Sequence, residues 1–380
     1  MKVATVLFKE DSFVRELNAD QLNLSDSDLI LGFGSGALLA DQKVFDKLKS
    51  TFPTSELILC SSAGEIYENE VFDDTIALTA LKFSSTRIKT CQVDITSFEN
   101  SFQAGCSLIE KLDQQDLKMV LIFSDGGKVN ASELVKGMNT VKKEQVLIVG
   151  GLAGDGAKFE KTLVGLNTIP VQGKIVAVGF YGQKLMVSHG SLGGWESFGL
   201  ERIVTKAQSN VLYEIDGRNV LDLYKIYLGK YAEELPGSAL LFPLSIKMDG
   251  LEEPIVRTIL SIDETNQTMT FAGDVPEGSK VRFMKANFDR LIDAASGAAL
   301  SCLAINSFTP ALALLISCVG RKLILGSRID EEVEAVGEVF GNQTILCGFY
   351  SYGEISPLMP FGDCILHNQT MTITCINEID

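Results

Sequence analysis

Histidine is scarce in this sequence: His189 and His367 are the only two in 380 residues. An imidazole metal ligand, or a proton shuttle working near neutral pH, therefore has to be one of these two. Tryptophan is scarcer, with Trp195 alone. No Cys-x-x-Cys pair occurs. The eight cysteines (60, 91, 106, 302, 318, 347, 364 and 375) are dispersed through apolar, strand-like runs, which reads as reduced core thiols and excludes a disulfide frame or a zinc ribbon.

Positive charge is also short. A net charge of −16 with no run of basic residues excludes a phosphate-backbone partner, which needs clustered Lys and Arg, and disfavours an anionic membrane surface. The longest apolar run, residues 311–320, is about half of what a bilayer requires. At the N-terminus, MKVATVLFKEDSF is interrupted by Lys9, Glu10 and Asp11 and has no signal-peptide pattern. A soluble, cytoplasmic protein is expected. Phosphate-cradling loops are missing as well: the glycines of GFGSGA at Gly32 do not have dinucleotide-fingerprint spacing, and no Walker-type run occurs.

What remains is an ordinary globular composition, 46% hydrophobic and 22% charged, in a chain long enough for two domains. Residues 3–8, 29–33, 57–60, 76–83 and 87–93 read as strands; residues 11–17 and 41–51 read as helices. Internal repetition organises the chain. LILGFGSG, a helix, then ELILCSSAGEI and TIALTALKF resembles ALLISCVG, a helix, then TILCGFYSYGEI and TMTITCI. A third copy lies between them: VLIFSDGG, a helix over 131–141, QVLIVGGLAGDG and KIVAVGFYG, with Gly154-Asp155-Gly156 where the others have Gly-Glu-Ile. Each copy reads as strand, helix, strand, exposed loop and returning strand. Such a unit cannot bury its sheet alone, so the copies are expected to pack pseudo-symmetrically.

The fold class expected is thus α/β with mixed sheets, the repeated units forming two α/β domains over 1–180 and 181–380. The linker-like NTIPVQGK, 167–174, offers another boundary. Between the second and third copies, residues 200–206 and 211–215 read as a hairpin, 219–228 as a helix with Leu221, Tyr224, Ile226 and Leu228 available for burial, and 239–284 as an antiparallel meander. ANFDRLIDAASGAALSCLAI carries a helical apolar stripe.

Three groups of residues could carry chemistry. In 187–228, His189 opens a glycine-rich loop in which Gly190, Gly193 and Gly194 permit positive φ while Leu192, Trp195 and Phe198 supply apolar faces. That suits a flat, largely apolar ligand with a polar or metallic centre; it also suits a strand-to-strand turn with a hydrogen-bonded histidine. Glu65 and Glu354 occupy matched loop ends, as an acid–base pair or as carboxylates accepting backbone N–H groups in equivalent turns, the second needing no further assumption. Cys60 or Cys347 with His367 is a thiol-nucleophile reading, but nothing nearby in sequence would lower a thiol pKa.

The chain resembles the FIST proteins over nearly its whole length. The first half carries CSSAGEI, GGLAGDGAKF and KIVAVGFYG; the second carries VTKAQSNVLYEIDGRNVLDLYKIYLG, LPGSALLFPL, GFYSYGEIS and HNQTMTIT. That resemblance implies an intracellular sensory module for small ligands, hence signal input and no enzymatic role. SHGSLGGWESFGLERIVT, VRTILSIDE and FAGDVPEGSKVRFMKANFDRLIDAA look closest to a stand-alone branch that binds haem, senses nitric oxide and regulates a partner histidine kinase or cyclic-di-GMP signalling. On that resemblance His189 is the axial iron ligand, with Gly190 in its loop, Leu192, Trp195 and Phe198 lying against the porphyrin, and Arg202, Lys206 or Arg218 meeting the propionates. The alternative within the family is a sensor of an amino acid or other metabolite. Its pocket would be formed by the loops after Cys60, Gly150 and Cys347, with Glu65, Asp155 and Glu354 as polar anchors.

Overall fold

The first unit shows how the chain builds its sheets. Leu29–Gly34 is buried along its whole length and runs parallel to Glu56–Ser61, as near-continuous apolar strands do when both faces are covered. The helix Gln42–Thr51 makes the crossover, capped by Asp41, whose carboxylate accepts the Lys43 N–H, and burying Val44 and Leu48. Ile76–Lys82 returns antiparallel on the far side of Leu29–Gly34, followed by Lys2–Lys9. A computed structural model describes residues 1–235, 237–248, 253–305, 308–359 and 362–379.

The other copies repeat the plan. Leu117–Ser124 and Leu147–Leu152 run parallel through the helix Ala131–Val141, and Lys174–Tyr181 and Arg87–Asp94 complete their sheet. Leu312–Cys318 and Ile345–Ser351 run parallel through Val319–Leu325 and Ile329–Phe340, with Met371–Glu378 and Leu185–Leu192 completing theirs. The expected mixed α/β fold of repeated units is what the chain forms.

No unit keeps all its strands. After its parallel pair each sends a short strand to a neighbouring sheet: Glu65–Tyr67 pairs with Ile345–Ser351, Val164–Leu166 with Glu56–Ser61, and Glu354–Pro357 with Leu147–Leu152. The exchange is cyclic, first unit to third, second to first, third to second. The inner faces of the three sheets share one core, in which Phe33 stacks on Phe349 (centroids 4.5 Å apart) and both meet Phe123 at 5.4 and 6.1 Å. Fully buried rings of this size are worth roughly 1.5–3 kcal/mol each. Helices cover the outer faces: Ser101–Glu110 and Ala131–Val141 on one sheet, Phe288–Ile305 and Ile329–Phe340 on another, Gln42–Thr51 on the third.

Between the second and third units, strands from Glu196–Gln208 to Lys280–Lys285 form a separate antiparallel sheet around Leu212, Tyr224, Phe271 and Phe283. This β-domain docks on the second unit. Buried Arg257 donates to the carbonyls of Leu366 and Asp274, and Lys136 pairs with Asp274 at 3.0 Å. The division expected at residue 180 falls one residue before the end of the strand Lys174–Tyr181, and strands Glu65–Tyr67 and Glu354–Pro357 cross it in opposite directions.

Four local expectations are corrected. Residues 12–17 form a strand, not a helix, because Glu10 and Asp11, both at positive φ, fold the chain back on Lys2–Lys9. Asp155 does not match Glu65 and Glu354: the exchanged strand of that unit begins at Val164, beyond a longer loop. The glycine-rich segment around His189 is mostly the strand Leu185–Leu192. Ile226 points outward, 72% exposed, while Leu221, Tyr224 and Leu228 are buried.

Candidate functional site

His189 lies on the edge strand Leu185–Leu192, opposite Thr374. Side chains of a strand alternate, and here the alternation separates functions. Gly190 faces the helix Phe288–Ile305 so closely that a Cβ would collide with the Ala298 carbonyl, and Leu192 lies over Gly297 of the same helix. His189 faces the other way, with Leu185 and Val187, which pack on the shared core. It is 6% exposed, and neither ring nitrogen has a hydrogen-bond partner. Burial pushes its pKa down to about 4, so the ring is neutral at physiological pH.

A cleft of about 1340 Å³ borders this histidine. Its apolar wall comes from Leu117, Val146, Leu147, Leu185 and Ile305, and Lys118, Lys142 and Lys143 border it too. Ser188 Oγ and Gln114 Oε1, both on the cleft, are likewise buried without a partner. Buried polar atoms are nearly always satisfied, so the unpartnered His189 ring beside this cleft makes it the candidate place for a bound molecule. His367, by contrast, is engaged: its Nε2 lies 3.0 Å from the Ser356 carbonyl, and burial, with the nearby positive charge of Arg257, pushes its pKa to about 4.

The other residues grouped with His189 lie elsewhere. Trp195 donates its indole N–H to the Gln369 carbonyl at 2.9 Å and packs against Leu291, Ile324 and Leu325. Phe198 sits among Tyr227, Phe242 and Phe283 of the β-domain. Arg202 bonds Asp216 at 2.7 Å and the Tyr227 hydroxyl at 2.6 Å, and Lys206 stands over the Tyr213 ring. Of His189, Gly190, Leu192, Trp195, Phe198 and Arg202, only His189 borders the cleft. The expected aromatic wall is corrected on this point. Strand alternation and the turn after Leu192 disperse it, and apart from Leu185 on the same strand the wall that is present comes from Leu117, Val146, Leu147 and Ile305, far away in sequence, for which no local signal exists.

The loops of the alternative pocket do meet where the three units join, Gly154 donating to the Ser61 carbonyl, Ala63 to the Tyr350 carbonyl and Leu152 to the Gly353 carbonyl, and their polar side chains are engaged in local hydrogen bonds. The Glu65 carboxylate accepts the Ser62 hydroxyl and the Thr75 N–H and hydroxyl. Glu354 accepts the same three groups from Ser351 and Thr370. Burial outweighs these bonds and raises the two carboxyls to about 7 and about 8. Cys60 and Cys347 are buried in the shared core, where burial pushes the Cys347 thiol up to about 12 and Cys60 higher. Asp155 organises its own loop, accepting the N–H groups of Phe159, Glu160 and Lys161 and the Tyr352 hydroxyl. That loop borders a second cavity of about 600 Å³, between the second unit and the β-domain.

Haem is the cofactor the sequence resemblance implies, and the residues of the cleft permit a test of fit. A buried, neutral imidazole with both nitrogens unpartnered suits a donor to iron, while the cleft beside it has Lys118, Lys142 and Lys143 on its rim together with Asp116, Glu144 and Asp363, and Lys142 already pairs with Asp363 at 3.1 Å, which leaves Lys118 and Lys143 to meet a macrocycle's carboxylates. The fit is to this wall, not to Trp195, Phe198 and Arg202. Both ring nitrogens are covered, so a ligand reaches them only when the groups packed over the ring move. Among the described residues no cluster of three or more His, Cys, Asp or Glu could hold a metal by itself, and no helix is long and apolar enough to cross a membrane.

A mixed α/β body of three strand-exchanging units, with a β-domain attached and two cavities along its seams, is the class of protein this geometry defines. The chain belongs to the FIST family: the FIST N domain matches residues 28–218 and the FIST C domain residues 221–357. An uncharacterized protein of Methanocaldococcus jannaschii, MJ1623, is 24% identical over 341 residues, covering 82% of this chain; the chain spans 63% of that relative's length. A crystal structure of cyanuric acid hydrolase from A. caulinodans aligns over 100% of this chain and 99% of its own, at a TM-score of 0.37 and 8% identity.

Proposed function

We propose that the protein senses its ligand in the cleft beside His189, and that the ligand is haem, through which nitric oxide is read. The observation that carries this reading is the buried His189 ring, unpartnered at both nitrogens on the wall of a cleft of about 1340 Å³. When bound, haem supplies the iron centre for a diatomic gas. The chain's own residues do the rest. His189 stays neutral and presents a lone pair, Leu117, Leu147 and Leu185 exclude water, and Lys118 and Lys143 offer charge to carboxylates.

Access to His189 requires the groups packed over its ring to move. The edge strand Leu185–Leu192 that carries it is held on one side by Met371–Glu378 and against the helix Phe288–Ile305 through Gly190. Ligand occupancy is thereby linked to the seam between two sheets, and the surface there is what a partner would read. That partner, on this proposal, is a histidine kinase or a component of cyclic-di-GMP signalling. The role proposed is signal input rather than catalysis, in keeping with the Cys60 and Cys347 thiols, which burial holds protonated.

Absorption spectra after reconstitution with haemin test the reading. Wild type is expected to show a Soret band that His189→Ala loses or markedly weakens and His367→Ala retains. Equal spectra for wild type and His189→Ala contradict it.

A further inference from the structure

The smaller cavity, of about 600 Å³, lies where the parallel strands Leu117–Ser124 and Leu147–Leu152 end and the β-domain begins. Ligands of α/β sheets favour the carboxyl ends of strands, and small-molecule sites favour seams between domains. One wall is aromatic: Phe159 stacks on Tyr352 with centroids 4.6 Å apart and planes 19° from parallel. The β-domain contributes Leu260, which is 45% exposed.

Phe159 is an unusual residue to find in this position. Its φ is 56°, a left-handed conformation that bulky side chains rarely adopt, and its ring is 48% exposed. Three backbone bonds to Asp155 hold the loop in this shape, and the Tyr352 hydroxyl bonds the same carboxylate. A strained backbone that keeps an aromatic face open at a cavity mouth is a feature of ligand clamps. Charge points the same way. The chain has 49 acidic and 33 basic side chains, yet the cavity is bordered by Lys128 and Lys161 against the single carboxylate Glu160. Among the described residues neither lysine has an ion-pair partner.

We infer that this cavity is a second binding site, separate from the His189 cleft, and that it takes a planar aromatic ring carrying one anionic group. The ring lies on the exposed face of Phe159, which Tyr352 backs, Leu260 closes over it, and the anion meets Lys128 and Lys161. Because the two walls belong to different bodies, occupancy draws the β-domain toward the second unit.

Isothermal titration of the full chain with indole-3-carboxylate tests this. Saturable binding of one molecule per chain is expected, about tenfold weaker for indole-3-carboxamide, which lacks the charge, and for cyclohexanecarboxylate, which lacks the flat ring. Phe159→Ala is expected to weaken binding by about tenfold. Leu260→Asp, on the exposed opposite wall and clear of the Asp155 loop, should weaken it similarly, and His189→Ala should leave it unchanged. Absence of saturation by millimolar indole-3-carboxylate overturns the proposal, as does equal affinity in wild type, Phe159→Ala and Leu260→Asp.

Discussion

Glu65 and Glu354 occupy the same place in two of the three units, each held by a serine three residues earlier and by a threonine from the returning chain: Ser62 and Thr75 for one, Ser351 and Thr370 for the other. Each carboxylate begins a strand that leaves its own unit for a neighbouring sheet. The pair therefore fixes the points where the units interlock, and its ionisation is coupled to that interlocking.

The first prediction concerns pH. Both carboxyls titrate higher in the fold, at about 7 and about 8, than the ordinary 4.5 of an unfolded glutamate, because burial penalises the charge. The folded state thus retains protons that the unfolded chain has already released. Their contribution to stability is complete below about pH 4.5 and is lost as pH rises through about 7 and 8, by on the order of a few kcal/mol at most. Urea unfolding at pH 5 and pH 8.5 should show this decline, and the double variant Glu65→Gln/Glu354→Gln should show a smaller one.

A second concerns the buried ion pair. Arg321 and Glu332 are both fully buried and meet at 2.7 Å. Arg321 also donates to the carbonyls of Gly193 and Leu291, and Glu332 accepts from Ser317 and Tyr350. Arg321→Met leaves Glu332 charged and unpaired in the core and should cost roughly 3–5 kcal/mol, read as a lower denaturant midpoint. The charge-neutral double variant Arg321→Met/Glu332→Gln should recover part of that loss.

A third concerns backbone geometry. Gly150 and Gly348 have φ of 153° and 155°, and a Cβ at either would strike the carbonyl of the adjacent parallel strand, at Ile122 or Leu315. No flexible side chain can yield there. Gly348→Ala should leave little soluble folded protein, whereas Gly156→Ala, at a positive-φ glycine with open space around it, should cost only about 1 kcal/mol or so. Expression level and thermal unfolding distinguish the two.

How legible was all this beforehand? The repeats were visible because each unit spends a run of apolar residues on a strand buried on both faces, then glycine and serine where strands end. The helix from Gln42 announced itself through Asp41, and that from Val220 through Asn219. The exchange of strands was not visible: nothing in a run as short as Glu65–Tyr67, buried at all three positions, says which sheet it pairs with. The site was half legible. Rarity singled out His189, but its neighbours were read as a loop because Gly190, Gly193 and Gly194 masked a period of two. Gly190 is there to admit a helix, not to bend the chain. Leu117, Leu147 and Lys142 reach the cleft only through tertiary folding.

The most direct measurement of the central claim uses the scarcity of histidine. With two imidazoles in the chain, selective 15N labelling gives two sets of ring signals, and zinc protoporphyrin serves as a diamagnetic probe of the cleft. The account predicts that free protein shows a neutral His189 without a hydrogen bond, and that adding the porphyrin moves the His189 signals while those of His367 stay in place. Unchanged signals from both rings, or movement of His367 alone, contradict it.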